Sequence, residues 1–341
     1  MDVAAFTIIW VGLALYAVLA GADFGVGVWV LASYATKRGN ELREDALGYF
    51  GPVWEVNGLF LVFVVVGLIT AFPKALGLLG KTLIPLVMAG LAGFVMRSGA
   101  YALLHYGPPR SRGPATWVFG IASVLAGMGL GYAASAPATG YIAPDELRSG
   151  FYSSAVALSA LPLTLAASAH LSALVVSAYA AARGRASAEW YRRAALGAGV
   201  AVLPFAILFT LALADRVPHT RGRLESPLVI PMILGGVAIF LGTVAMWRRR
   251  HALAALLTFG GYFAGLVGGA FAQFPYMVYP QLTVHEAAAP SATLVAYLII
   301  TGVGAPLLVA ALLALYHTTL GPERRIRGRS GSDVTPAAVE S

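Results

Sequence analysis

Cysteine is absent from the 341 residues, and charged side chains make up only 11% of them. The first absence removes disulfide scaffolds, thiolate metal sites and cysteine nucleophiles together. The second removes a water-soluble globule, because soluble domains carry roughly a quarter charged residues. The chain also lacks a soluble domain of the usual size of about 100 residues or more, a low-complexity tract and an evident internal repeat. What fills it is apolar: 59% hydrophobic residues and a mean hydropathy of +0.78. At about 20 apolar residues per crossing, this composition describes an all-α, polytopic membrane protein.

Apolar runs bounded by charged or Pro/Gly-rich breaks give nine expected spans, near 6–33, 52–73, 75–105, 114–136, 151–182, 190–214, 226–247, 252–273 and 291–319. The first run follows Met1 and Asp2 with no basic leader and no small-residue cleavage site, so it reads as a retained helix. Residues 1–320 are expected to form one transmembrane helical domain. The basic, then Gly/Ser/Ala-rich segment 321–341 is expected to be a disordered cytoplasmic tail.

Lys and Arg outnumber Asp and Glu by 23 to 15, and their placement accounts for the excess. Sixteen of the 23 fall in one set of loops: Lys37, Arg38 and Arg43; Arg110 and Arg112; Arg183, Arg185, Arg192 and Arg193; Arg248 to Arg250; and the tail. Six lie in the opposite loops or at the span ends there, and Arg97 lies inside a span. The positive-inside rule then puts the N-terminus outside and the C-terminus in the cytoplasm. Orientation explains the basic balance, and no nucleic-acid partner is needed.

Glycines at four-residue spacing, Gly21 with Gly25 and Gly261 with Gly265, read as places where helix backbones approach closely. Pro85, Pro162, Pro204, Pro231 and Pro306 fall inside expected spans and should kink them. Three charges, Asp23, Glu55 and Arg97, lie clearly within apolar runs. Each costs roughly 2.5–3.5 kcal/mol at the bilayer centre on insertion scales, which makes it a functional candidate by default. Counted at about 1.5 Å per residue from the cytoplasmic span ends, Glu55 lies roughly 5 Å in, Arg97 roughly 12 Å and Asp23 roughly 15 Å.

Two carboxylates and a guanidinium graded in depth fit a proton route entering from the cytoplasm, since burial raises a carboxyl pKa and a nearby Arg lowers it. They also fit a static Arg97–carboxylate pair that fixes helix packing, or chance placement at a wet interface, a reading to which Glu55 is the most open. Of the six histidines only His170, in the fifth span, sits deep enough to ligate a buried haem or to move a proton. A lone imidazole on an apolar helix is more often a hydrogen-bonded packing residue, and no facing pair of histidines is evident. The segment Phe274-Pro-Tyr-Met-Val-Tyr-Pro280 reads as an interfacial aromatic belt closing the eighth span.

Three stretches in order resemble subunit II of the cytochrome bd family of quinol oxidases. They are Gly21-Ala-Asp-Phe-Gly-Val-Gly27; Gly51-Pro-Val-Trp-Glu-Val-Asn57 with its span ending Ala71-Phe-Pro73; and Phe274-Pro-Tyr276 through Ala287 to Thr293-Leu294. The resemblance implies a multi-pass protein of the prokaryotic plasma membrane. It also implies a haem-bearing partner, subunit I, which holds haems b and d, oxidises quinol from the membrane pool and reduces oxygen. This chain would then be haem-free, a structural half that supplies part of the cytoplasmic proton path. A small single-helix accessory subunit and a structural quinone or lipid are further expectations. By position, Asp23 matches the second Asp of the family's first signature and Glu55 the Asp of its second; Arg97 lies where the family tends to place an arginine. Two departures stand out: Ala20 replaces the first Asp of the signature, and Val56 replaces the Gly before Asn57. A competing reading from another class is an ion-coupled secondary transporter with Asp23 as its coupling-ion site. His170 remains a candidate haem ligand or partner contact.

Overall fold

The computed structural model describes residues 1–143 and 147–319, with the side chains of 51–56, 312, 313 and 315–319 excepted. Its long elements are helices: α1 Asp2–Ser33, α2 Gly39–Ala71, α3 Pro73–Tyr106, α4 Arg112–Ser135, α5 Ala155–Ala182 and α6 Ser187–Arg216. The short α7 Pro218–Leu224 follows, then α8 Ile230–Trp247 and α9 His251–Gln273. A small antiparallel hairpin of β1 Tyr276–Val278 and β2 Leu282–Thr283 leads through the one-turn α10 Val284–Ala287 into α11 Ser291–Thr319. The expected tail, 321–341, lies outside the described residues.

Eight helices among the described residues, α1, α3 to α6, α8, α9 and α11, are long and apolar enough to cross a membrane. The remaining expected span, 52–73, overlaps the second half of α2, whose described apolar part is Asn57–Ala71. This helix starts at Gly39 rather than 52, because its first turns carry Glu41, Arg43, Glu44 and Asp45 and so escape a hydropathy reading. It stops at Phe72, where the following proline disfavours a helical residue, and Pro73 opens α3 with its fixed φ. Pro85, Pro162, Pro204 and Pro306 lie inside helices as expected. Pro231 does not: it occupies the first turn of α8, where its missing N–H has no partner to lose, so it starts that helix instead of kinking it.

Helix α1 is central, lying against α2, α4, α5 and α9, while α3 packs on α4, α6 on α5 and α8 on α9. Glycine sets the closest approaches. A Cβ at Gly25 would overlap the Ser168 backbone carbonyl of α5, and one at Gly261 would stand 2.6 Å from the Gly235 carbonyl of α8. Trp29 seals the α1–α5 contact by donating Nε1–H to Ala169 O (3.0 Å) and Ser172 Oγ (2.9 Å).

Polar contacts also organise the two ends. At the basic end, Asp45 accepts from Arg185 (2.6 Å) and from the Ser187 hydroxyl, and the Tyr191 hydroxyl donates to Leu42 O (2.7 Å). These bonds tie the charged start of α2 to the α5–α6 connection. At the other end the 274–280 segment is more than a belt. It forms the β-hairpin, and Tyr276 and Tyr279 pack against His219, with centroids 5.2 and 6.2 Å away. His219 in turn bonds Phe274 O (2.9 Å), and Tyr279 N–H donates to Pro137 O (2.8 Å).

Candidate functional site

Successive helix residues are turned by about 100°, so with Gly25 directed at α5, Asp23 points away from it, toward α2 and α3. Arg97 of α3 comes to meet it: Nη2 donates to Asp23 Oδ2 at 2.6 Å, and the side chains are 0% and 1% exposed. Asn57 of α2 donates Nδ2–H to the same oxygen at 3.3 Å. One carboxylate oxygen thus joins three helices. Two of the three charges expected within the spans form a pair, Arg97 with Asp23.

Aromatic faces solvate the guanidinium. Arg97 Cζ lies 4.5 Å from the ring centroid of Phe24, 5.1 Å from Phe50 and 5.0 Å from Phe94. Their π-clouds carry part of the electrostatic stabilisation that water would otherwise supply. The rest of the hydrogen-bonding capacity is unused among the described residues. Asp23 Oδ1, Asn57 Oδ1, and Arg97 Nε and Nη1 are buried without a hydrogen-bond partner, as is the hydroxyl of Tyr16, about two turns before Asp23 on α1. Groups of this kind in a low-dielectric interior are costly, and they mark where ordered water or a transferred proton finds ready partners.

Ala20, the position of the absent aspartate, sits in an apolar cluster with Tyr16, Phe24 and Ala126, flanked by Phe60 and Phe94. Its surroundings are those of a hydrocarbon side chain. Glu55 belongs to α2, two residues before Asn57, and its side chain lies outside the described ones. Since α2 begins at Gly39, Glu55 lies in the middle of a continuous helix, not at its start.

His170 is apart from this cluster. It is 3% exposed, and Nδ1 lies 3.1 Å from the Tyr262 hydroxyl of α9. A methyl at residue 199 of α6 would come within 3.0 Å of Nε2. Nδ1 therefore has a partner in this chain, Nε2 lies close over Gly199, and the ring is buried between α5, α6 and α9 with no open surface for a partner. Among the described residues no group of three or more His, Asp or Glu is placed to hold a metal. Among the described residues the surroundings of His170 do not fit a haem.

Asn57 was missed as a site residue by a search for charges, although an amide inside an apolar run carries a related desolvation cost. Its signal was present, two residues after Glu55 in the second motif. The aromatic box had no such signal, because Phe24, Phe50 and Phe94 look like ordinary apolar residues until the helices pack.

Comparison with known proteins bears on the chain as a whole. Residues 1–319 match the family model described as cytochrome bd terminal oxidase subunit II. The putative cytochrome bd menaquinol oxidase subunit II of Bacillus subtilis (strain 168) is 26% identical over 307 residues, 85% of this chain and 87% of that protein. The structure of bd oxidase from Geobacillus thermodenitrificans contains a chain matching with a TM-score of 0.79 at 22% identity, covering 94% of this chain and 98% of that one. This last likeness speaks for the fold. Nothing in these likenesses supports an ion-coupled transporter.

Proposed function

The chain belongs to the cytochrome bd terminal oxidase subunit II family, and from that premise we propose that it works beside a haem-bearing subunit I that oxidises quinol and reduces oxygen. Electron transport and a respiratory role follow from the family. Residues 1–320 act as one unit in the prokaryotic plasma membrane, with the N-terminus outside and the Arg-rich loops in the cytoplasm. The chain holds no haem of its own and provides the structural half of the complex. A small accessory subunit and a structural quinone or lipid belong to the same reading.

The finer proposal concerns Asp23. With Glu55 it forms a cytoplasmic proton path toward the partner's oxygen-reducing centre, and Arg97 is the charge partner that holds Asp23 in place. The observation that carries this is the asymmetry of the carboxylate: Oδ2 is taken by Arg97 and Asn57, while the buried Oδ1 has no partner among the described residues. A carboxylate so arranged keeps its position and has one oxygen with which to exchange a proton. Changing Asp23→Asn or Glu55→Gln in the assembled complex should slow steady-state oxygen consumption with the haem spectrum intact. Wild-type turnover in both variants sinks the path.

A second reading is favoured by the geometry of Arg97. A guanidinium with no exposure, a 2.6 Å ion pair and three aromatic faces around it is also what a static clamp between α1 and α3 requires. On that reading Arg97→Ala lowers the yield of assembled complex, while Asp23→Asn leaves turnover untouched.

A further inference from the structure

Between the start of α6 and the end of α8, at the basic end of the molecule, lies a cavity of about 520 Å³ lined by Arg192, Arg193, Leu196, Trp247 and Arg249. Three guanidinium groups converge there on one carboxylate. Glu189 accepts from Arg192 Nε (2.9 Å) and Nη2 (2.7 Å) and from Arg193 Nε (3.1 Å), and Arg249 Nη2 reaches it at 3.7 Å. Three positive charges against one negative leave the cavity with net positive charge. Only Arg192 uses two nitrogens on Glu189, so donors remain on Arg193 and Arg249, whose side chains are 75% and 72% exposed.

Backbone geometry adds an independent observation. Arg249 has φ 60°, in the left-handed region that favours glycine, and is the one non-glycine residue with positive φ among those described. A glycine would make this α8–α9 turn with less strain. The arginine found there instead places its charge at the cavity.

Below the cavity both helices present apolar faces to their surroundings. On α6 the stripe runs from Arg193 through Val200 and Ile207, about two turns apart each time, and these two side chains are 66% and 59% exposed. On α8 it runs from Trp247 back through Phe240 (66% exposed) to Ile233 (57%). A cationic, fork-like donor set above two hydrocarbon stripes, with an indole at the boundary, matches one molecule of the bilayer: an amphiphile with a phosphate head and acyl tails.

We propose that this cavity binds the phosphate of an anionic phospholipid, with Arg193 and Arg249 as its donors and the acyl chains lying along α6 and α8. The site is independent of the proton path, and it needs only that the chain spans a membrane. Arg192 braces Glu189 and is not required to touch the lipid. Zwitterionic lipid offers the same phosphate but brings its own cation, so the positive cavity discriminates against it. Free phosphate offers the anion without the tails and gains nothing from the stripes.

The test is native mass spectrometry of the delipidated, assembled oxidase complex titrated with phosphatidylglycerol, with phosphatidylcholine, or with phosphatidylglycerol in the presence of inorganic phosphate. At about a factor of five per arginine near the membrane surface, R193Q/R249Q should weaken the first phosphatidylglycerol by about 30-fold, and R193Q alone by about fivefold. Phosphatidylcholine should bind wild type and variants alike and more weakly, and equimolar phosphate should displace nothing. Both substituted side chains are largely exposed, so an unchanged haem spectrum is expected and serves as the assembly check. The proposal is overturned if the double variant binds phosphatidylglycerol as wild type does, or if wild type does not prefer it over phosphatidylcholine. Displacement by equimolar inorganic phosphate also overturns it, making the cavity a free-anion site.

Discussion

Two ion pairs in this molecule have the same length and opposite surroundings. Asp23–Arg97 and Asp45–Arg185 both close at 2.6 Å, and both carboxylates are 1% exposed. The difference lies in the arginines: Arg97 has no exposure, whereas the Arg185 side chain is 40% exposed at a helix connection. Asp45 also accepts from the Ser187 hydroxyl, so its second oxygen is satisfied, while the second oxygen of Asp23 has no partner among the described residues. Distance alone therefore says little about what a pair does. The exposed pair secures a loop, with water and salt to share the charge; the buried one leaves donors and an acceptor unspent in the interior.

The largest effect expected from breaking this comparison is at Arg97. Arg97→Ala strands the Asp23 carboxylate and empties the aromatic box, and removal of one partner from a buried pair costs about 3–5 kcal/mol. The yield of assembled complex and its thermal unfolding midpoint should both fall. Replacing both partners by apolar residues, as in Asp23→Val with Arg97→Met, should recover most of that loss, because no unpaired charge then remains buried. If the double variant assembles no better than Arg97→Ala, stranded charge is not the cause.

Smaller effects sharpen the contrast. Asn57→Ala removes a donor 3.3 Å from Asp23 Oδ2 and should lower stability by about 1–2 kcal/mol, read as a shifted unfolding midpoint. Arg185→Ala leaves the buried Asp45 carboxylate with the Ser187 hydroxyl, and should cost about 1–2 kcal/mol, less than Arg97→Ala because one oxygen keeps its donor and the lost guanidinium was 40% exposed. Salt separates the two pairs again. The Arg185 difference should shrink in part at about 1 M salt, where the screening length is about 3 Å, and the Arg97 difference should persist. Equal salt sensitivity in both would mean that water reaches Arg97.

How much of this was legible in the sequence follows from the same contrast. Asp23 and Arg97 stood out because a charge inside an apolar run is expensive wherever it ends up. A pair between Arg97 and a carboxylate was among the readings, but which carboxylate was not legible: 74 residues separate Arg97 from Asp23, and only packing brings their helices together. Asn57 was visible in its motif but carries no charge. The start of α2 was misjudged because hydropathy treats Glu41 to Asp45 as a break. In the fold Arg185 and Ser187 satisfy Asp45, and the Ser187 N–H donates to Glu41. Pro231 was read as a kink because its place in the run was clear and the start of the helix was not. The glycine pairs were read correctly at Gly25 and Gly261, since a missing side chain inside an apolar helix has few uses besides close approach.

The central claim, that the Asp23 carboxylate carries protons as well as pairing with Arg97, meets its most direct test in the double variant Asp23→Val with Arg97→Met. Its apolar pair restores packing and removes the exchanging group, so assembly and conduction are read separately. Steady-state oxygen consumption should fall about tenfold, less than the loss of a general acid at a reacting centre because this group only relays, while complex yield and haem spectrum stay near wild type. Wild-type turnover in that assembled variant would contradict the account and leave the pair as a clamp alone.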